Sequence, residues 1–296
     1  MQDSNPRFNH ATLVGCCAVL MWSVTVGLFR SVAEIFGPIA GAAMIFSVAG
    51  LFANTIIGAP KLKTFPRLYL WVGGGLFVLY EVLLALSIGT ATDRGQVLEL
   101  GMINYLWPSL TILFAVIARQ QRGHWLLLPA MVLCLLGIAW VMKGEGAWSP
   151  ATFLHNVQRN PIGYGMALLA AIIWAVYSVF TRRFGKGING VPLFLVTTAA
   201  VLWLAYRLSD EVTLVFNLAG LLQVCVMGTL MATAYSCWNY SIQHGNLALL
   251  ATMSYFTPVL SVLLACLWLD VAPGAGFMYG LGLVTLGSLL SGRASQ

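Results

Sequence analysis

Apolar runs of about 20 residues follow one another almost from end to end of the chain, separated by short polar or turn-forming segments. A helix rises about 1.5 Å per residue, so about 20 apolar residues cross the hydrocarbon core of a bilayer. Ten such runs are read as spans, at about 10–30, 38–58, 67–90, 95–118, 124–142, 161–182, 191–208, 214–243, 246–268 and 274–292. Turn formers stand between them: Gly37-Pro38, Gly58-Ala59-Pro60, Arg122-Gly123, residues 187–190, Gly245-Asn246 and Ala272-Pro273-Gly274. Connections this short predict antiparallel neighbours. The longest polar gap, residues 143–160 with Trp148, Ser149 and Pro150, is expected to be the seam between two halves, 1–150 and 151–296, and Pro161 opens the next helix.

Two of the runs carry a proline near their middle. Asn104-Tyr105-Leu106-Trp107-Pro108-Ser109 interrupts the fourth, and Ser254-Tyr255-Phe256-Thr257-Pro258 interrupts the ninth. Proline has no backbone N–H and its ring clashes one turn back, so such a break in hydrocarbon leaves carbonyls for a neighbouring helix or a cavity to satisfy. Amide, phenol, indole and hydroxyl groups gather at these breaks, and they gain nothing from facing lipid tails. Pro108 and Pro258 are therefore expected hinges beside a cavity.

The spacing of these landmarks repeats. Trp22 and Arg30 recur as Trp174 and Arg182, 152 residues on, and Tyr105 and Pro108 recur as Tyr255 and Pro258, 150 residues on. Five spans per copy is an odd number, so the second copy must enter the bilayer upside down. The expected fold is all-α and polytopic, ten transmembrane helices as two inverted five-helix repeats, the plan of secondary transporters with a substrate site near the midplane.

Composition agrees with a membrane protein: 59% of the 296 residues are hydrophobic and 8% charged, and mean hydropathy is +0.86, where a soluble domain carries about 25% charged residues. The net charge of +6 sits in short loops and is read for topology, not for nucleic acid. With the N-terminus in the cytoplasm, Arg7, Lys61, Lys63, Arg67, Arg119, Arg122, Arg182, Arg183, Lys186 and Arg293 fall inside, ten of fifteen basic residues. Arg30, Arg94, Lys143, Arg159 and Arg207 fall outside with Glu34, Asp93, Glu145, Asp210, Glu211 and Asp270. Both termini are then expected in the cytoplasm. The first run follows Arg7 as a signal peptide would, but it has no small-residue cleavage site and holds Trp22 mid-span, so it is expected to stay as the first helix. Cys16, Cys17, Cys134, Cys225, Cys237 and Cys266 lie within apolar runs without CxxC spacing, which predicts no disulfide and no metal site. No phosphate loop, HExxH or nucleophile-base pair is present. An enzyme is therefore not expected, nor a cofactor, and a substrate or proton gradient is the expected driving force.

Beyond these patterns, Trp22-Ser23, Tyr80-Glu81, the run Gly101-Met102-Ile103-Asn104-Tyr105-Leu106-Trp107-Pro108-Ser109-Leu110-Thr111, Trp174, Trp238-Asn239, His244-Gly245-Asn246 and Ser254-Tyr255-Phe256-Thr257-Pro258-Val259-Leu260-Ser261 resemble the bacterial aromatic amino-acid exporter family of the drug/metabolite transporter superfamily. The resemblance spans all ten runs. It implies an inner-membrane protein that exports aromatic amino acids. With the pattern above, the expectation is a secondary exporter of aromatic, and by extension other apolar, amino acids, a monomer or weak dimer, with a site including Trp22, Tyr80, Glu81, Asn104, Tyr105, Trp107, Trp174, Tyr177, Trp238, Asn239, Ser254 and Tyr255.

The residues themselves carry part of that reading. Trp22, Trp107 and Trp174 lie near the centres of their runs, away from the interfacial belt, and an indole stacked or T-shaped against a flat ring contributes about 0.5–1.5 kcal/mol beyond burial. The alternative is packing between helices. Glu81 falls roughly 20 Å into the third run, near the midplane. A carboxyl there is either neutral or paired, with Asn104 and Asn239 as candidate donors, and it could serve a proton, a substrate ammonium or a cross-helix bond. Glu99 is expected near the outer end of the fourth run, close to water. Trp71, Trp125, Trp148 and Trp268 read as interface residues, His244 as a loop or capping residue, and Gly73-Gly74-Gly75 and Gly276/Gly280 as packing sites. An aromatic box with Glu81 would also suit a cationic drug; a membrane enzyme or signalling protein would need polar loops or His-carboxylate clusters that the sequence lacks.

Overall fold

The computed structural model describes residues 9–294 apart from 59–60, 93, 122–123, 144–149, 212–213, 216 and 269–274. Arg7, Asp93, Glu145, Trp148, Asp270 and the turns at Ala59-Pro60, Arg122-Gly123 and Ala272-Pro273-Gly274 lie outside the described residues, as do the side chains of Arg30, Arg94, Lys143, Cys266 and Trp268.

Among the described residues the regular structure is helical throughout. α1 (His10–Phe36) leads through Gly37 into α2 (Pro38–Phe52), which ends in a π-helical turn, Ala53–Gly58. A second π-helical turn, Tyr69–Gly73, runs into α3 (Gly74–Gly89). α4 (Arg94–Asn104) and α5 (Trp107–Ile117) are the two pieces of the fourth run, followed by α6 (Leu127–Lys143) and α7 (Pro150–Arg159). The second half holds α8 (Pro161–Phe184), α9 (Val191–Arg207), α10 (Leu218–His244), the two pieces α11 (Leu247–Ser254) and α12 (Phe256–Trp268), and α13 (Ala275–Ala294). Six helical runs combine at least 18 residues with continuous apolar character: Pro38–Gly58, Tyr69–Gly89, Glu99–Ile117, Pro161–Phe184, Leu218–His244 and Leu247–Leu264. Four shorter apolar runs accompany them, His10–Val24, Leu127–Val141, Val191–Arg207 and Ala275–Ser291. With side chains such as Trp71 and Trp125 77% and 75% exposed, this is a multi-pass membrane protein with its apolar surface turned outward.

Asparagines start the helices. Asn9, Asn160, Asn217 and Asn246 each accept a hydrogen bond from a backbone N–H of the first turn of α1, α8, α10 and α11, which satisfies one of the donors every helix start leaves open. α2 is capped from a distance. The Glu211 carboxylate accepts from the N–H groups of Ile39 at 2.8 Å and Ala40 at 3.0 Å, and Gly37 at φ 86° turns the chain where any Cβ would strike that carboxylate.

The helices pack in long pairs: α1 along α10, α3 along α8, α2 along α9 and α6 along α13, with α5 against α8 and α12 against α1. The α6/α13 pair is the tightest. A Cβ on Gly280 would lie 2.7 Å from the Gly137 carbonyl oxygen, and one on Gly137 would lie 2.8 Å from that of Gly280. Small residues let backbones approach so closely in a membrane. The seam at this contact therefore uses Gly280 with Gly137, a pairing the expected Gly276/Gly280 motif only half contains. In the glycine triplet, Gly74 takes the Phe194 ring while Gly75 faces open space.

The expected loop at 143–160 needs correction, since Pro150–Arg159 within it form α7. Phe153 and Val157, one turn apart, pack on Leu100 of α4 and on Tyr164 and Ala167 of α8, and this amphipathic stripe is why the segment folds. It also corrects the setting of Glu99. That side chain is 5% exposed, held by the Asn156 amide at 3.2 Å and by the Tyr164 hydroxyl, and so is not close to water.

Candidate functional site

Both broken helices are broken where the prolines predicted. The turn at Tyr105-Leu106 separates α4 from α5, and the turn at Tyr255 separates α11 from α12. At each, a backbone N–H reaches back three residues, Leu106 to Ile103 at 3.0 Å and Tyr255 to Thr252 at 3.2 Å, a local tightening before Pro108 and Pro258 interrupt the ladder. The two breaks touch: the Ser109 and Tyr255 hydroxyls are hydrogen-bonded to each other.

The break at Tyr105-Leu106 sets Trp107 at the first turn of α5, and Trp107 is one member of a ring cluster built by α1, α3, α5, α8 and α10. Trp174 of α8 is its hub. Tyr80 lies 4.5 Å from it at 35°, Tyr177 stacks at 5.1 Å and 28°, and Trp22 and Trp107 stand edge-on at 6.2 and 6.3 Å. Trp238 closes the ring, 5.2 Å from Trp22 and 5.4 Å from Trp107. Trp174 and Trp238 are 2% and 0% exposed, so these rings fill the space they enclose. The sequence reading missed two members, Phe77 and Tyr235, which lie 5.1 Å apart and 5.9 and 5.6 Å from Trp174. Helical spacing could have found them: Phe77 is three residues before Tyr80, and Tyr235 three before Trp238.

Around the rings, among the described residues, Glu81 Oε1, Asn104 Oδ1 and Trp238 Nε1 are buried polar atoms with no hydrogen-bond partner. Leaving a buried polar group unpaired costs about 1–3 kcal/mol, more for a charge. Two of these atoms are acceptors and one a donor. Glu81 faces the Tyr235 hydroxyl, and Asn104 lies beside that of Tyr80.

Asn239, expected as a partner for Glu81, is engaged elsewhere. Its amide donates to the hydroxyls of Tyr69 at 2.8 Å and Tyr177 at 2.9 Å and accepts from Gln243 at 2.7 Å. This node ties α10 to α8 and to the π-helical turn before α3. Tyr105, Ser254 and Tyr255 also lie apart from the rings. Tyr105 and Tyr255 pack with Val259 and with Cys134 and Ile138 of α6, and the Ser254 hydroxyl donates to the Leu250 carbonyl of its own helix. The predicted residues thus separate into a ring cluster (Trp22, Tyr80, Trp107, Trp174, Tyr177, Trp238) with Glu81 and Asn104 at its edge, an amide node at Asn239, and the contact between the breaks. His244 ends α10, stacked on Tyr240. Among the described residues no group of His, Cys, Asp and Glu is arranged to hold a metal ion.

An indole and phenol box with two acceptors and one donor suits a flat ring bearing an ammonium and a carboxylate. The sequence model of the EamA-like transporter family matches residues 161–293. A protein of Salmonella typhimurium named Aromatic amino acid exporter YddG is 43% identical over 97% of this chain and 98% of its own, and the Escherichia coli protein of the same name is 40% identical over the same shares. One solved structure, a crystal structure of a protein 26% identical in sequence, superposes with a TM-score of 0.78 over 95% of this chain and 98% of its own. The chain therefore belongs to the EamA-like transporter family, within the aromatic amino acid exporter group that these bacterial relatives represent.

Proposed function

We propose that this protein exports aromatic amino acids across the bacterial inner membrane by alternating access, binding its cargo where the ring cluster now closes on itself. The observation that carries the reading is the combination of Trp22, Trp107, Trp174 and Trp238 with the unpartnered Glu81 Oε1, Asn104 Oδ1 and Trp238 Nε1. The rings stack on the aromatic side chain, Glu81 and Asn104 accept from the ammonium, and the Trp238 indole donates to the carboxylate. The names of the relatives support the same substrate class.

All ten apolar runs act as spans in this reading, residues 1–150 and 151–296 forming two inverted repeats. Support comes from the pairing of helices. Under an exchange of the halves, α1 with α10 becomes α8 with α3, α5 with α8 becomes α12 with α1, and α2/α9 and α6/α13 map onto themselves. The end caps follow the same rule. Asn9 caps α1 and donates to the His244 carbonyl at the end of α10, while Asn160 caps α8 and donates to the Thr90 carbonyl at the end of α3, both at 3.1 Å. Each bond joins one half to the other, one at either end of the bundle. Rocking of the halves about Pro108 and Pro258 would open these ends in turn. Both termini face the cytoplasm, and the protein works as a monomer or weak dimer; a periplasm-active reporter fused to either terminus is expected to stay silent, and activity at either one overturns the orientation.

Trp107→Ala tests the site. Counterflow of phenylalanine in proteoliposomes is expected to lose affinity roughly tenfold, as removal of a stacking face worth about 1.5 kcal/mol implies, with the exposed Trp125→Ala as the control. Equal effects of the two substitutions, with the substrate profile unchanged, would make Trp107 a packing residue. A quaternary ammonium dye, which has no carboxylate for Trp238, is expected to compete poorly.

A further inference from the structure

Tyr69 opens the second π-helical turn and is fully buried. A π turn fits an extra residue into a helix, and such turns occur frequently at functional sites. Here the turn folds the Tyr69 ring back over Gly73, where a Cβ would lie 2.6 Å from it, and brings its hydroxyl to Gly190, where a Cβ would lie 3.0 Å away. The hydroxyl accepts from the Asn239 amide at 2.8 Å. Tyr177 and Gln243, bonded to the same amide, belong to the second half of the chain, and Gln243 fastens it to the turn after α8 through Gly187 and Ile188. Among these residues Tyr69 alone comes from the first half, so its hydroxyl joins the halves at this node.

Two routes lead from Tyr69 to the ring cluster. Its hydroxyl shares the Asn239 amide with Tyr177, which stacks on Trp174. Its ring stands edge-on to Phe194 at 5.5 Å, and Phe194 lies 5.8 Å from Phe77, a neighbour of Trp174. The rings of the cluster already fill their space, so an aromatic cargo that enters between Trp174 and these neighbours displaces Tyr177 or Phe77. Either displacement is passed to Tyr69.

We propose that Tyr69 is a positioning residue of the transport cycle, a latch that holds the halves together at the end of the bundle carrying the N-terminus of α1 and that cargo in the ring cluster releases; the inference rests on the transport reading above. Hydrogen bonds between helices in a membrane are of modest strength, so this one biases the closed end and still breaks in each cycle. A loaded carrier opens that end with the help of its cargo, through the two routes. An empty carrier must break the same bond unaided. The latch therefore favours exchange of cargo over return of the empty carrier.

Proteoliposomes loaded with labelled phenylalanine, at equal pH on both sides, separate the two steps. Efflux into buffer without phenylalanine requires the empty return, and efflux into saturating unlabelled phenylalanine does not. In the wild type exchange is expected to exceed net efflux. Tyr69→Phe keeps the ring and removes only the hydroxyl; it should raise net efflux about three- to fivefold, the rate equivalent of one hydrogen bond between helices, and leave the half-saturation concentration for exchange unchanged. Asn239→Leu removes the bond from its other end and should raise net efflux relative to exchange in the same direction. Ser241→Ala is the control, because that buried hydroxyl donates to the Cys237 carbonyl within α10 at 2.7 Å. Net efflux that fails to rise in Tyr69→Phe, or that rises equally in Ser241→Ala, overturns the latch and leaves the transport reading intact, as does a wild type whose net efflux already equals its exchange. Absence of phenylalanine counterflow in the wild type overturns the transport reading itself.

Discussion

Glutamine in place of Glu81 is expected to raise the half-saturation concentration for phenylalanine by about 10- to 150-fold, the range that loss of a charged hydrogen bond worth about 1.5–3 kcal/mol implies. 3-Phenylpropionate, which lacks the amino group, should be moved as before. Glu81 is 4% exposed, its Oε1 has no partner, and glutamine keeps its shape and hydrogen-bonding capacity while removing the charge. Among the described residues no other carboxylate is available to the cluster: Glu99 is held by Tyr164 and Asn156 beneath α7, and Glu211 caps α2. Counterflow at fixed pH measures the effect. Equal losses for phenylalanine and its deaminated analogue would reassign the ammonium to Asn104 and the carbonyls at the helix breaks. Loss of pH dependence with exchange otherwise intact would make Glu81 a proton-coupling group instead.

Trp174→Ala is expected to lower the stability of the purified protein by about 3–5 kcal/mol, the usual cost of emptying a buried tryptophan site, and to abolish transport with it. Trp174 meets Trp22, Phe77, Tyr80, Trp107, Tyr177 and Tyr235, so its removal opens a void shared by five helices. Phenylalanine at 174 should recover most of the stability and part of the activity, because a smaller ring still fills the centre. Thermal unfolding of the wild type and both variants in one detergent provides the check. A melting temperature unmoved in Trp174→Ala would mean that the cluster collapses around the loss, and that the rings are not held by their hub.

The membrane class, the positions of the apolar runs and the two helix breaks followed from local rules, and each has a local cause. Hydropathy measures transfer of a side chain to hydrocarbon and needs no knowledge of neighbours. Proline disrupts its own helix wherever it lies, which is why Tyr105-Leu106 and Tyr255 are turns in the structure. The near-equal spacings of Trp22/Trp174, 152 residues, and Pro108/Pro258, 150 residues, are the basis for expecting two related halves, because repeats are written along the chain.

Partnership between side chains was not written there. Helical spacing groups Phe77 with Tyr80 and Tyr235 with Trp238, but nothing local says which way those faces turn, and nothing local separates Tyr105 and Tyr255, which pack beside α6, from Tyr80 and Tyr177, which join the rings. These assignments depend on the rotation of each helix about its own axis, and that is set by the closest contacts between helices, such as Gly137 against Gly280. The same holds for α7, whose Phe153 and Val157 acquire a use only once α4 and α8 offer Leu100 and Ala167 to cover. Composition and pattern alone thus determined that the chain crosses a membrane, and where it bends. Which groups meet at the centre, and which of them are left without partners, was decided by tertiary packing, because a hydrogen bond or a ring contact between helices belongs to neither helix by itself.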